Sequence, residues 1–306
     1  MAAFLIRRLL GLVVVLFCVI SITFFLIRLS PGGPFDGERK IPPAIEKQLL
    51  AKYKLDGTLW EQYTGYLGDL VRGDLRLSTK YRNRSVAEIL AQTLPVTISL
   101  GLSAFVLATM LGTFLGVVAA AGRGGPRDFL AMMLALLAIS LPSFLIGPVL
   151  ILVFGIWLGW LPVGGWGSLP AMILPAVTLA LPYAAYIARL LRGSMIETLG
   201  QDFVRTARAK GLRERAVLYR QALRVAILPV ITFLGPLAAH LLTGSIVVET
   251  LFHIPGAGGF FVNSILNRDG FLLGGVVIVY CAMLVIFNML VDVLYTVLDP
   301  RIRLDG

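Results

Sequence analysis

Six stretches of apolar residues, each roughly long enough to cross a bilayer as a helix, constrain this chain more than any other feature of its sequence. A helix rises about 1.5 Å per residue, so about 20 residues cross about 30 Å of hydrocarbon. Within lipid the backbone must satisfy its own hydrogen bonds, which leaves helices or a closed barrel, and the length and apolarity of these runs select helices. The stretches run over residues 9–27, 96–121, 129–160, 171–188, 227–248 and 272–294. The third exceeds a simple crossing and carries Pro142 and Pro148, which predicts a tilt or a proline kink. Of the 306 residues 58% are hydrophobic and only 14% charged, too little polar surface for a water-soluble domain of this length. The expectation is an all-α membrane protein with six transmembrane helices. Arg7 and Arg8 give the first stretch a basic front like that of a signal peptide. It outruns a normal signal core, however, and Arg28-Leu29-Ser30-Pro31-Gly32 offers no small-residue cleavage pattern, so it reads as a retained span.

The formal charge of +10 is explained by topology before nucleic acid need be invoked. One set of joints carries Arg7 and Arg8, then Arg123 and Arg127, then a dense basic run from Arg189 to Arg224, then Arg301 and Arg303. The alternate joints are nearly bare: residues 161–170 carry no charge, and Arg268 is balanced by Asp269. Basic residues collect on the cytoplasmic side, which predicts cytoplasmic termini and places residues 30–95 outside. Trp157, Trp160 and Trp166 at the outer end of the third stretch fit an interfacial belt. The chain thus divides into a first span with its cytoplasmic N-terminus (1–29), an external segment (30–95) and a core (96–306) that includes a loop over 189–226.

Two polar insertions are long enough to fold in water. In the external one, Ile45, Leu49, Leu50 and Tyr53 fall at helical spacing, and Leu59, Tyr63, Tyr66, Leu67 and Leu70 repeat the pattern. A small helical cap follows, for which a decorated linker, a docking surface and a lid all fit. In the cytoplasmic one, the pattern is helix, break at Gly211, helix. Phe203, Val204 and Ala207 share one face of the first piece, and Arg205 and Arg208 lie on another. Gly211 suits a helix C′ position, which often needs positive φ. Charge alone would lay this loop on anionic headgroups. A break between two short amphipathic helices suits insertion into a cleft on another protein.

At this loop a family resemblance enters. The run Arg205-Thr206-Ala207-Arg208-Ala209-Lys210-Gly211, with Leu228-Pro229 downstream, resembles the EAA loop of membrane subunits of binding-protein-dependent ABC importers. The stretches Arg28 to Phe35, Gly193-Ser194-Met195-Ile196-Glu197, Glu249 to Gly258 and Asp299-Pro300-Arg301 are similar to the oligopeptide and dipeptide permease branch. Gly37-Glu38-Arg39 is similar to its B-type subunit. Arg205 stands where the naming acid of the EAA motif would be, and Thr206 replaces its first alanine. The resemblance implies the type I ABC importer permease fold in a bacterial inner membrane. It implies two homologous permease subunits forming the pathway, two ATPases holding ATP and Mg2+, and an extracytoplasmic binding protein that delivers peptides. It also implies that Glu197, Phe203, Arg205, Thr206, Ala207, Arg208, Ala209, Lys210 and Gly211 form the coupling loop that docks on the ATPases. Permeases of this kind also carry nickel chelates or glycosides.

The chain itself has no Gly-Lys dipeptide and therefore no phosphate loop, no zinc pattern and no nucleophile elbow. It is expected to be non-catalytic and to bind no cofactor, metal or nucleic acid. An ion-coupled secondary transporter would want paired midplane acids and an inverted repeat, and neither is evident. Ionisable groups at membrane depth are functional candidates, which singles out His240 and Glu249; with Pro255, Gly256 and Asn263 they make a candidate outer gate or pathway. For His240 a bond to a neighbouring helix fits as well. Glu249 is placed to brace the Pro255-Gly256-Ala257-Gly258-Gly259 bend through backbone amides, and Asp292 to pair with Arg301. Gly101, Ala104, Ala108, Gly112 and Gly116 recur at three- and four-residue steps, a pattern of close helix packing.

Overall fold

The computed structural model describes the backbone of residues 2–29, 35, 42–243 and 245–298, and the side chains of these except 2–9, 43, 46, 243 and 291–298. Ser30-Pro31-Gly32, Gly37-Glu38-Arg39, Asp299-Pro300-Arg301 and the expected pairing of Asp292 lie outside the described residues. The helices are α1 (Ala2–Leu29), α2 (Pro43–Lys52), α3 (Leu59–Val71), α4 (Val86–Ala121), α5 (Pro126–Ser140), α6 (Ser143–Leu150), α7 (Leu169–Leu199), α8 (Asp202–Ala209), α9 (Glu214–Ala216), α10 (Leu223–Ala226), α11 (Leu228–Thr243), α12 (Ile246–Leu251), α13 (Ala257–Leu266) and α14 (Gly270–Leu298). A π-helical winding continues α6 over Ile151–Trp157, and another joins α9 to α10 over Val217–Ala222. Among the described residues the extended structure is a single antiparallel bridge, Leu77 to Ser85.

Four helices, α1, α4, α7 and α14, are long and apolar enough to cross a membrane, and two bent pairs raise the number to as many as six. The bends differ from the kink expected. The third stretch turns by 111° between α5 and α6, too sharp for a kink in a single rod. Its cause is local: Pro142 drives the preceding residue out of helical geometry, and Leu141 sits at φ −95°, ψ 125°. The fifth stretch bends by 56° ahead of α11 and ends at Thr243, short of the boundary expected at 248. The fourth stretch runs on to Leu199, so Arg189, Arg192 and Glu197 ride on the continuation of α7 rather than on a separate loop helix.

The chain forms two compact units. The first comprises Met1–Thr97 and Pro255–Ile286, and the second Ile98–Ile254 and Phe287–Gly306. In the first, the external segment wraps a core of its own. Thr58 caps α3: its hydroxyl accepts from the Glu61 amide at 3.3 Å, and the Glu61 carboxylate accepts from the Thr58 amide at 2.7 Å. This start turns Tyr63 and Tyr66 inward onto Phe24 of α1, where they meet Ile89, Leu90, Phe271, Leu272 and Val276. Each such side chain contributes about 1.5–3 kcal/mol when fully buried.

Polar bonds then fasten the segment. Arg76, 8% exposed, donates to Asp69 at 2.8 Å and lies 5.4 Å and 5.2 Å from the Tyr66 and Phe271 ring centroids. Asp269, fully buried just ahead of α14, accepts from the amides of Leu272 and Thr79 at 3.2 Å each and from the Ser78 hydroxyl. One carboxylate therefore both caps a membrane helix and holds the loop after α3.

The second unit is built on α7, against which α5, α6, α10, α11 and α12 pack. Here α4 touches its neighbours through the small residues that the sequence spaces at three and four. Ala104 and Ala108 are fully buried. A Cβ on Gly101 would lie 2.6 Å from the Leu241 carbonyl oxygen, and one on Gly112 would lie 2.6 Å from that of Ala184. Backbones meet directly at these points.

Candidate functional site

The dense basic run forms a short projecting helix on the end of α7. Gly200 ends α7, and α8 begins two residues later after extended Gln201. Two residues anchor α8: Val204, fully buried, and Ala207, 8% exposed. Both are small or β-branched, so the helix sits close to the π-helical winding and the foot of α7. The expected apolar face is narrower than the spacing suggested. Phe203 does not join it and is 39% exposed, one residue around the helix from Val204. Asp202, Arg205, Thr206, Arg208, Ala209 and Lys210 are exposed as well, as is Glu197 on α7.

The turn after α8 is a Schellman motif. Gly211 adopts φ +78°, its amide donates to the Arg208 carbonyl at 2.9 Å, and the Leu212 amide donates to the Ala207 carbonyl at 3.3 Å. Glycine adopts this φ without the steric cost that an L side chain carries, although Lys54, His253 and Arg268 close other helices of the chain at positive φ. Arg208 then reaches across the turn to Glu214 at 2.8 Å, and that carboxylate bond raises the guanidinium pKa further above its already high value. Exposed as they are, Arg208 and Glu214 hold a shape more than they stabilise the fold.

Above the loop, a pair that sequence reading missed ties α5 to α7. Arg192 donates to Asp128 through one guanidinium edge, from Nε at 2.5 Å and from Nη2 at 2.7 Å, and the Gly124 amide donates to the same carboxylate at 2.9 Å. Asp128 is 4% exposed. Counting arginines for topology hid this fork, although an acid in the first turn after Gly125-Pro126 is a helix-start signal that marks Asp128.

The candidate outer group divides between the two units. His240 is exposed on α11 with its ring edge-on to Tyr183 at 5.7 Å, a neighbouring-helix contact. Glu249 is 1% exposed and accepts from the Ser245 hydroxyl. Toward the bend, the Ile254 amide donates to the Glu249 carbonyl at 2.8 Å. In the other unit Pro255 and Asn263 are exposed and Gly256 precedes α13, whose first amide, that of Ala257, donates to the buried Thr97 hydroxyl at 2.9 Å. Among the described residues no cluster of three or more His, Cys, Asp or Glu side chains fits a metal ion.

With the membrane helices and the basic loop after α7 described, comparison with known proteins shows the class to which the chain belongs. Residues 112–304 match the family of binding-protein-dependent transport system inner membrane components, and residues 1–101 match the N-terminal region of such membrane components. The chain belongs to this family. It is similar to the oligopeptide transport system permease protein OppB of Escherichia coli K12, with 47% identity covering 99% of this chain and 100% of that protein. The OppB of Haemophilus influenzae is 45% identical over the same shares, and the dipeptide transport system permease protein DppB of Bacillus subtilis is 43% identical over 99% of each. Among solved structures, the inward-facing MetNI methionine ABC transporter superposes with a TM-score of 0.59 at 13% identity, covering 69% of this chain and 96% of that one. An amino acid ABC transporter superposes at 0.52, covering 68% and 93%. The fold is that of a type I ABC importer permease.

Proposed function

We propose that this chain forms, with a homologous second subunit, the membrane pathway of an importer that takes up peptides delivered by an extracytoplasmic binding protein, driven by two partner ATPases that hold ATP and Mg2+. Both termini then face the cytoplasm of a bacterial cell with the chain in its inner membrane, a reading that the distribution of basic residues supports. The peptide assignment rests on the oligopeptide and dipeptide permeases that the chain is similar to over its whole length.

One observation carries the mechanism: α8 is anchored by only Val204 and Ala207 and closed by a glycine turn, while it presents Phe203 and a basic surface outward. A helix of eight residues held so lightly on one side is shaped to be gripped on the other. Phe203 would fill a pocket on the ATPase, and Arg205, Arg208 and Lys210 would meet an acidic rim. With Arg208 and Glu214 fixing the turn, movement of the ATPase is passed as a rigid-body displacement to α7 and α11, and the pathway rocks between outward and inward access. Glu197, Thr206, Ala209 and Gly211 complete the gripped surface.

The test is assembly and coupling. Purified complexes carrying Ala207→Glu or Gly211→Pro are compared with wild type for co-purification of the ATPases and for peptide-stimulated ATP hydrolysis. The proposal expects both variants to insert in the membrane and both to lose assembly or stimulation. Normal assembly with normal stimulation in both would refute it.

A further inference from the structure

The first unit contains a cavity of about 350 Å³ between the C-terminal end of α1 and the N-terminal end of α14, within the roughly 300–1,000 Å³ range of ligand pockets. Its depth is apolar, lined by Ile20, Phe24 and Ile27 from α1 and by Phe271, Leu273 and Ile278 from α14. Its charged lining consists of two arginines, Arg28 and Arg268, with no Asp or Glu among the described lining residues. Neither arginine pairs with a carboxylate among the described residues.

The posture of Arg28 separates this site from an ordinary span end. An arginine at the end of a membrane helix usually extends its guanidinium into the headgroup water. Here it folds back, 5.6 Å from the Phe24 ring centroid and 5.8 Å from that of Phe271, two rings of the cavity wall. Thr79 adds a buried hydroxyl oxygen in the same wall that has no hydrogen-bond partner. Among the described residues, two positive groups without a carboxylate partner and an idle hydroxyl thus line one apolar trough beside two membrane helices. Water can solvate the exposed Arg268 but reaches the half-buried Arg28 less freely, and a soluble anion leaves the trough empty.

We infer that this cavity binds one anionic phospholipid, its phosphate held by Arg28, Arg268 and Thr79 and an acyl chain laid along α1 and α14. A guanidinium fork matches phosphate oxygens, and a headgroup without its own cation leaves the attraction intact. Only the leaflet, the outer one, rests on the topology proposed above; lipid retention requires no nucleotide and no peptide, so it stands or falls apart from the coupling assignment.

The full-length chain, purified in the complex it forms, is reconstituted with equimolar phosphatidylglycerol and phosphatidylcholine, and retained lipid is read by native mass spectrometry. Phosphatidylglycerol is expected to be retained at least about tenfold over phosphatidylcholine, the preference that charge-assisted phosphate bonds give to a headgroup without a cation. That preference is lost in the Arg28→Gln/Arg268→Gln double variant. Leu273→Trp, which fills the trough and keeps both charges, abolishes retention of either lipid, and monodisperse elution and unchanged ATP hydrolysis of the double variant certify its fold. Inorganic phosphate added as the free anion does not displace the lipid. Equal retention of the two lipids, undiminished retention in the double variant, displacement by inorganic phosphate, or no retained lipid in the wild type would each overturn the assignment.

Discussion

The two polar insertions of this chain are of comparable character in sequence and opposite in construction. The segment between α1 and α4 is fastened from within while most of its charges stay at the surface: Asp69 and Arg76 bond inside an aromatic cluster, and Asp269, just ahead of α14, accepts from the Ser78 hydroxyl and two amides. The loop between α7 and α11 exposes its charge: Arg205 to Asp202 and Arg208 to Glu214 are surface pairs, and Phe203 faces outward. A polar segment that finishes its own core is part of the scaffold. One that leaves two aromatics, Phe203 and Tyr219, and seven cations outward presents the kind of surface that the proposed ATPase contact would cover. Stability and coupling should therefore respond to opposite sets of mutations.

The largest effect is expected from Arg76→Ala, which leaves the buried Asp69 carboxylate only the exposed Lys54 as an ion-pair partner and removes the cation from the Tyr66 and Phe271 rings. A loss of about 3–5 kcal/mol is the scale for breaking such a pair, read as a fall in the thermal unfolding midpoint of the purified complex. Asp269→Ala follows, at about 2–3 kcal/mol, because Ser78, Thr79 and the first turn of α14 lose their shared acceptor. Limited proteolysis within residues 74–85 should accelerate in that variant.

Phe203→Ala inverts the comparison. Unfolding should barely shift, whereas ATPase association weakens about thirtyfold, the cost of an aromatic anchor worth ~2 kcal/mol. Equilibrium binding of the ATPase to the reconstituted permease measures it. Should Phe203→Ala instead unfold the chain with binding intact, the contrast between the two insertions is gone.

Acid sharpens the contrast further. Burial alone would raise the Asp69 pKa, but hydrogen bonds from Arg76 and Lys54 outweigh it and hold the carboxyl below its usual range. A depressed native pKa contributes stability that is present above the unfolded value near about 4 and is lost as pH falls through the lower native value. The unfolding midpoint should drop across that window, and the Arg76 variant should lose that component of the drop. The smallest effect belongs to Arg208→Ala, whose exposed pair with Glu214 should change stability by less than about 0.5 kcal/mol.

Much of this architecture was legible in the residues, because span length and small-residue spacing follow from bilayer thickness and close packing. The glycine at 211 was legible for a similar reason, since positive φ favours glycine. What escaped was long range. No periodicity announces that Asp269 meets Ser78, or that Asp128 meets Arg192, because each pair is closed by the fold and not by local spacing. The bend at Leu141 exceeded the expected kink because pattern reading registers a proline's presence and not the direction the chain takes after it. Phe203 is more exposed than its spacing with Val204 and Ala207 suggested, because hydrophobicity was taken to mean burial.

The glycines of α4 carry a mechanical consequence. At Gly112 that helix meets the Ala184 carbonyl of α7, and at Gly101 the Leu241 carbonyl of α11, the two helices that bracket the projecting loop. Contacts between main chains have no flexible side chain to compress and no rotamer to absorb a push. Under the proposed coupling, helix α4 would act as a fulcrum: torque entering at the loop would be delivered to both helices over the same hard bearing, with little lost as internal slack.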